Sequence, residues 1–174
     1  MGFPKPLLTY QGERFIDRLV RIFAAVCNQV IVVRSAASGE WPVAGAHIVT
    51  NPRPERGMLS SLQCGLSAVS RECDAIFFTP VDYPAIAEST VSLLAAAWAG
   101  DPVMIPRYRG RRGHPVVISR TLVPEFERLP DSAQPADVVR RHEAEIRYVD
   151  VNDPGILRDV DTPEEHRALE RALS

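Results

Sequence analysis

The segment DAIFFTPVDYP (residues 74–84) closes an apolar run, 75–78, with a carboxylate, Asp82, set between Pro80 and Pro84. An acid just past a buried strand lies where open α/β sheets bind ligands. A rigid carboxylate there suits a hard divalent cation carrying substrate phosphates. Asp also caps turns, and Asp82 taken alone fits either role. Asp159-Val160-Asp161 adds two more acids, which extended backbone places on one side because they are two residues apart. With Asp82 this pair could form a magnesium site. One of the two could instead serve the dipole of the following helix, although Thr162 already supplies a cap.

Other segments carry groups that would complete such a site. Lys5, in the loop Gly2-Phe3-Pro4-Lys5, could neutralise a polyphosphate or simply be solvated. Gly57 leads into a helix with Ser60 and Ser61 in its first turn, where free amides and hydroxyls can receive an anion or a polar base edge. GRRGHP (110–115) packs two glycines, two arginines and His114 into six residues. That is either a lid over an anionic substrate with His114 as donor or base, or a mobile hairpin tip with solvated arginines. There is no G-x-S-x-G elbow, Walker A sequence or complete G-x-G-x-x-G.

The elements that must position these groups follow from pattern. Residues 13–27 carry Phe15, Ile16, Leu19, Val20, Phe23 and Val26 at helical spacing, with Arg14, Asp17, Arg18 and Arg21 opposite. Residues 30–33 form a β-branched run expected to be covered on both faces. A short strand is expected at 47–49, a helix at 60–70, a strand at 75–79 and a helix at 86–98. Strands at 103–105 and 116–118 flank the arginine loop, and a helix at 136–143 precedes a strand at 146–149. Thr162, Pro163 and Glu165 open the last helix with a capping box. The alternation predicts one α/β domain with a mostly parallel sheet between helices.

Bulk properties narrow the function. At 174 residues and a net charge of −2, the chain offers no field for nucleic acid and no polybasic membrane anchor. Arg107, Arg109, Arg111 and Arg112 cluster locally, which suits a small anion. Cys27, Cys64 and Cys73 lack metal-ligand spacing and fit a reducing, cytoplasmic setting. No apolar run approaches the ~20 residues of a membrane span.

Taken in order, MGFPKPLL (1–8), GMLSSLQCGL (57–66), PVDYP (80–84), GRRGHPVVIS (110–119) and DVDTPEE (159–165) resemble the MobA-like nucleotidyltransferases. The molybdenum cofactor cytidylyltransferase branch is the most similar. The resemblance covers nearly the whole chain, and the order of the pieces makes it specific. It implies a Rossmann-like three-layer α/β sandwich with a mostly parallel, mixed sheet. It also implies Mg²⁺-dependent transfer of a nucleoside monophosphate, in which an acceptor phosphate attacks the α-phosphorus and pyrophosphate leaves. Carried over, Lys5 steadies the triphosphate and Asp82 binds Mg²⁺, with Asp161 or Asp159 as the second contact. Gly57 and Ser61 line the nucleobase pocket, while Arg112 and His114 face the acceptor's phosphate.

Guanylyltransferase relatives usually carry a G-P-L-A-G-type segment where this chain has GMLSSL (57–62). That difference implies CTP ahead of GTP or ATP, with molybdopterin as acceptor and a molybdoenzyme as client. Two departures from the family pattern matter. Met1 stands where relatives have a methionine preceded by a strand and an L-A-A-G-x-S-x-R loop. Residues 1–174 are therefore expected to be a single domain shortened at its N-terminus, with strand 30–33 short of a partner and apolar surface exposed. Ser132, Ala133 and Gln134 replace a G-D-x-G-A-R-like segment, which bears on the acceptor. The alternatives are a nucleotidyltransferase for another phosphorylated acceptor and a non-catalytic cofactor carrier or maturation partner.

Overall fold

A computed structural model describes residues 4–171. After a 3-10 turn at Lys5–Leu7, β1 (Thr9–Tyr10) and β2 (Glu13–Arg14) form a small antiparallel hairpin. α1 runs over Phe15–Ala24. Helical spacing in the sequence begins at residue 13, but Glu13 pairs with Tyr10 before the helix starts. β3 (Ile31–Ser35) and β4 (His47–Asn51) pair in parallel, and α2 (Met58–Ser67) follows. Next come β5 (Ala75–Phe78), α3 (Glu88–Ala97), β6 (Val103–Tyr108), β7 (Arg111–Arg112) and β8 (Val116–Ser119). α4 (Val123–Glu127), α5 (Pro135–Arg141), β9 (Ile146–Asp150) and α6 (Pro163–Arg171) complete the order. Hairpin β1–β2, α4 and the extension of β6 to residue 108 are additions to the elements expected from pattern.

The larger sheet has five strands: β5, β8, β6 and β7 in sequence of contact, with β9 beside β6. Its pairings are mixed. β6 and β9 are parallel, whereas β8 runs antiparallel to both β5 and β6. Side chains alternate as strand geometry requires. Val103, Ile105, Val116 and Ile118 face Leu59 and Leu66 of α2, Phe126 of α4 and Val138 of α5. Met104 and Val117 face the opposite layer, where Leu94 of α3 packs. α1 joins that layer through Leu19, Ile22 and Phe23 against Val91 and Ile86. Two helical layers thus enclose a sheet, the three-layer α/β arrangement that the alternation of elements predicts.

Among the described residues β3 pairs only with β4, in a separate two-stranded sheet. β5 likewise pairs only with β8. All four of its residues are only half-buried, whereas all four of β8 are buried. No helix is long and apolar enough to cross a membrane among the described residues.

Candidate active site

The loop after β5 is built to hold Asp82 still. Val81 packs into three hydrophobic clusters at once, between α1, the β1–β2 hairpin and α3. Arg18 of α1 reaches the loop from the far side, donating from Nε to the Pro84 carbonyl at 2.8 Å. In the sequence Arg18 reads as part of a solvated helix face; in the fold it is the anchor of the acid-bearing loop. Asp82 itself is about a fifth exposed.

The acid pair arrives by a backbone tie. The Val160 amide donates to the Asp82 carbonyl at 2.9 Å, and the Val160 side chain is buried beside Tyr10, Phe15 and Leu169. With Val160 pointing inward, Asp159 and Asp161 both point outward, as extended backbone dictates. The start of α6 is fixed by the expected capping box. Glu165 accepts from the Asp161 and Thr162 amides at 2.8 Å each, and its own amide donates to Thr162 Oγ1 at 3.2 Å.

Lys5 closes the cluster. Its Nζ donates to Asp82 Oδ2 at 3.2 Å and also to Asp161 Oδ1. Burial would lower the ammonium, but hydrogen bonds and charge from Asp161 and Asp82 outweigh it and hold Lys5 above its ordinary value. Acids separated by nearly eighty residues thus meet on one lysine, and Asp161 rather than Asp159 shares it with Asp82. Gly2 and Phe3 of that first loop lie outside the described residues.

The residues present fit a magnesium-sized cation. Asp82 Oδ1 is buried with no hydrogen-bond partner, a costly condition for a carboxylate oxygen that a cation would relieve. No group of three or more His, Cys, Asp or Glu side chains could hold a metal among the described residues. Two carboxylates suffice for Mg²⁺, which keeps water and binds phosphate oxygens for its remaining positions.

Beside the acids lies a cavity of about 430 Å³ whose lining includes Tyr83, Arg111, His114, Ile156 and Asp159. The His114 and Tyr83 rings pack at a 50° tilt with centroids 4.5 Å apart. Burial pushes the His114 imidazole below its ordinary value, against the opposing pull of the Phe78 backbone, Asp82 and Asp159. Burial therefore favours the uncharged form of the His114 imidazole. Burial likewise raises the Tyr83 phenol, helped by Asp159, Asp82 and Asp161, so all three acids act on this ring.

GRRGHP divides into two parts. Arg111 and Arg112 belong to the β6–β7 hairpin, but Gly113 and His114 are pinned: the His114 amide donates to the Ile156 carbonyl at 2.9 Å. A Cβ on Gly113 would lie 2.4 Å from that carbonyl, so only glycine allows the approach. Residues 113–114 are a fixed wall, not a lid. Arg112 also lines the cavity, yet its guanidinium pairs with Glu143 through both nitrogens and lies 5.0 Å over the Tyr148 ring. Arg111 makes no ion pair among the described residues.

Gly57 and Ser61 occupy the start of α2, away from this cavity's lining. Gly57 adopts φ +80 at the helix N-cap. Asn51, nearly fully buried, donates to Ser60 Oγ at 2.8 Å and Ser61 Oγ at 3.0 Å, tying the end of β4 to the helix. Asn51, Tyr83, Arg18 and Asp153 carry the architecture without any sequence signal beyond their type.

The family model described as MobA-like NTP transferase domain matches residues 1–146, a segment that holds Lys5, Asp82 and His114 and stops before Asp159. No curated protein matches the chain. Among solved structures, Rv0371c from Mycobacterium tuberculosis H37Rv is 26% identical at TM-score 0.81, over 98% of this chain and 90% of that one. Rv0371c has also been solved in complex with manganese. A nucleotidyl transferase from Methanothermobacter is 22% identical at TM-score 0.79, over 97% and 84%. Molybdopterin-guanine dinucleotide biosynthesis protein A from Archaeoglobus fulgidus is 15% identical at TM-score 0.68, over 99% and 91%.

Proposed function

We propose, from the premise that this chain belongs to the MobA-like NTP transferase domain family, that this nucleotidyltransferase moves CMP from CTP to a phosphorylated acceptor, molybdopterin. The observation that carries the reading is the meeting of Asp82, Asp161 and Lys5, with one Asp82 oxygen buried and unpartnered. Transfer at an α-phosphorus asks a protein for positioning and charge neutralisation more than for covalent chemistry. Bound Mg²⁺ would polarise phosphate oxygens and offset the triphosphate's charge.

The chain's own residues supply the rest. Asp82 and Asp161 hold the cation, with Asp159 beside them on the cavity wall. Lys5 neutralises the triphosphate. Gly57 and Ser61 at the start of α2 receive the cytosine edge, where the GMLSSL segment favours CTP. The acceptor's phosphate is the nucleophile, which agrees with the lack of a nucleophilic serine motif. In the cavity, His114 orients that phosphate by hydrogen bonding, and Arg111 with Arg112 provides the cationic rim. The free, half-buried cysteines fit a cytoplasmic enzyme that passes its product to a molybdoenzyme.

The test is transfer of labelled CMP from CTP to molybdopterin, with pyrophosphate release, in Mg²⁺ and in chelator. Turnover that requires Mg²⁺, prefers CTP over GTP and ATP and falls with Asp82→Ala is expected. Transfer of GMP in preference to CMP, or transfer only to sugar phosphates, would overturn the substrate assignment.

A further inference from the structure

The Lys5 ammonium bonds one oxygen of each of the two carboxylates, Asp82 and Asp161, that would share a metal. We infer that Lys5 couples nucleotide binding to metal binding: it is the resident counter-ion of the acid pair, and a triphosphate draws it away. The inference rests on the proposed function, and concerns how that site is loaded.

Three observations carry it. Asp82 Oδ2 and Asp161 Oδ1 both accept from the same Nζ, so a divalent ion that binds both acids meets a cation already bonded to each of them. Asp82 Oδ1 remains buried and unpartnered, so Lys5 satisfies the site only in part. The Lys5 side chain is about a third exposed and springs from a short 3-10 turn with no buried residue, so its flexible stem can swing without disturbing the core.

A ligand shifts such an equilibrium only through differential affinity for the two states. Metal alone competes with Lys5 for the two acids and weakens the bonds its ammonium makes. A triphosphate offers that ammonium new anionic partners, so metal and nucleotide together meet no such penalty. The acids therefore bind cation weakly until nucleotide arrives, which keeps the site from idling with metal bound. Metal and triphosphate also chelate one another, so cooperativity in the unaltered protein is not diagnostic. The diagnostic quantity is affinity for metal alone.

The experiment measures Mn²⁺ binding by electron paramagnetic resonance, with and without CTP. Lys5→Met and Lys5→Gln should each bind Mn²⁺ alone about tenfold more tightly than the unaltered chain. Both should also lose affinity for CTP. Arg158→Met removes the same charge next to Asp159 without touching Asp82 or Asp161, and should change Mn²⁺ affinity by less than about twofold. Unchanged or weaker binding of Mn²⁺ alone in both Lys5 variants would overturn the coupling while leaving the proposed function standing. An equal gain from Arg158→Met would also overturn it, because general electrostatics would then account for the effect. Asp82→Ala that still binds Mn²⁺ normally in the presence of CTP would overturn the metal site, and the coupling with it.

Discussion

At the scale of single residues, Arg111 and Arg112 are neighbours held differently. Arg112 is bound to Glu143 and lies 5.0 Å over the Tyr148 ring, while Arg107, paired with Asp150, lies 5.3 Å from the same ring. Removing Arg112 should loosen the hairpin against β9. Arg111 keeps its charge available to the cavity, so Arg111→Ala should raise the acceptor KM about tenfold or more, with the KM for CTP unchanged. Steady-state kinetics with each substrate varied separately checks this. Asp82→Asn keeps the shape and removes the charge; turnover should fall by about a hundredfold or more in Mg²⁺ assays while the thermal midpoint moves little. Asp82 and Lys5 draw notice in the sequence, Asp82 because it follows an apolar run between two prolines, yet each also suits a purely structural or solvated role there. Tyr83 and Arg18 do not, because an aromatic or an arginine at helical spacing looks the same whether it faces water or a neighbouring loop.

At the scale of elements, the loop at residues 153–157 is the strut between the Asp82 loop and the His114 segment. Buried Asp153 accepts from the Ala87 amide, the Thr90 hydroxyl and the Gly155 amide, each at 2.8 Å, and so holds the start of α3. Gly155 then presses on Ala85, where a Cβ would stand 2.0 Å from the carbonyl oxygen. Asp153→Ala should cost about 2–4 kcal/mol in urea unfolding, since it strands buried donors around a lost charge. Gly155→Ala should cost about 1–3 kcal/mol through overpacking. A second element-scale effect depends on pH. His142, at the end of α5, contacts Glu145 and Glu125, each at 2.9 Å, and these bonds raise its imidazole above the ordinary value. A group raised on folding contributes stability that is full below its unfolded value and is lost as pH rises through the folded one. Denaturation midpoints should therefore fall as pH climbs from 6 toward 8 by more in the unaltered protein than in His142→Asn.

At the scale of the whole molecule, stability is unevenly spread. β6 and β8 are buried and paired on both sides, while β3 and β5 each pair on one side among the described residues. Native-state hydrogen exchange should be slowest in β6 and β8, with amides of β3 and of half-buried β5 exchanging faster. Equal protection across all four strands would contradict this division. The order of strands and helices, the capping box on α6 and the acid after β5 were determined by local sequence, because periodicity, proline placement and capping act over a few residues. The mixed direction of the strand pairs was decided elsewhere: direction depends on which strands meet across the sheet, and short-range pattern does not encode it. That Asp161, not Asp159, shares Lys5 with Asp82 appears only in the tertiary contact between Lys5 Nζ and Asp161 Oδ1. His114 became a fixed wall only because Gly113 lets the Ile156 carbonyl approach. Contacts of that reach depend on the close packing of distant segments, and only the folded chain brings them together.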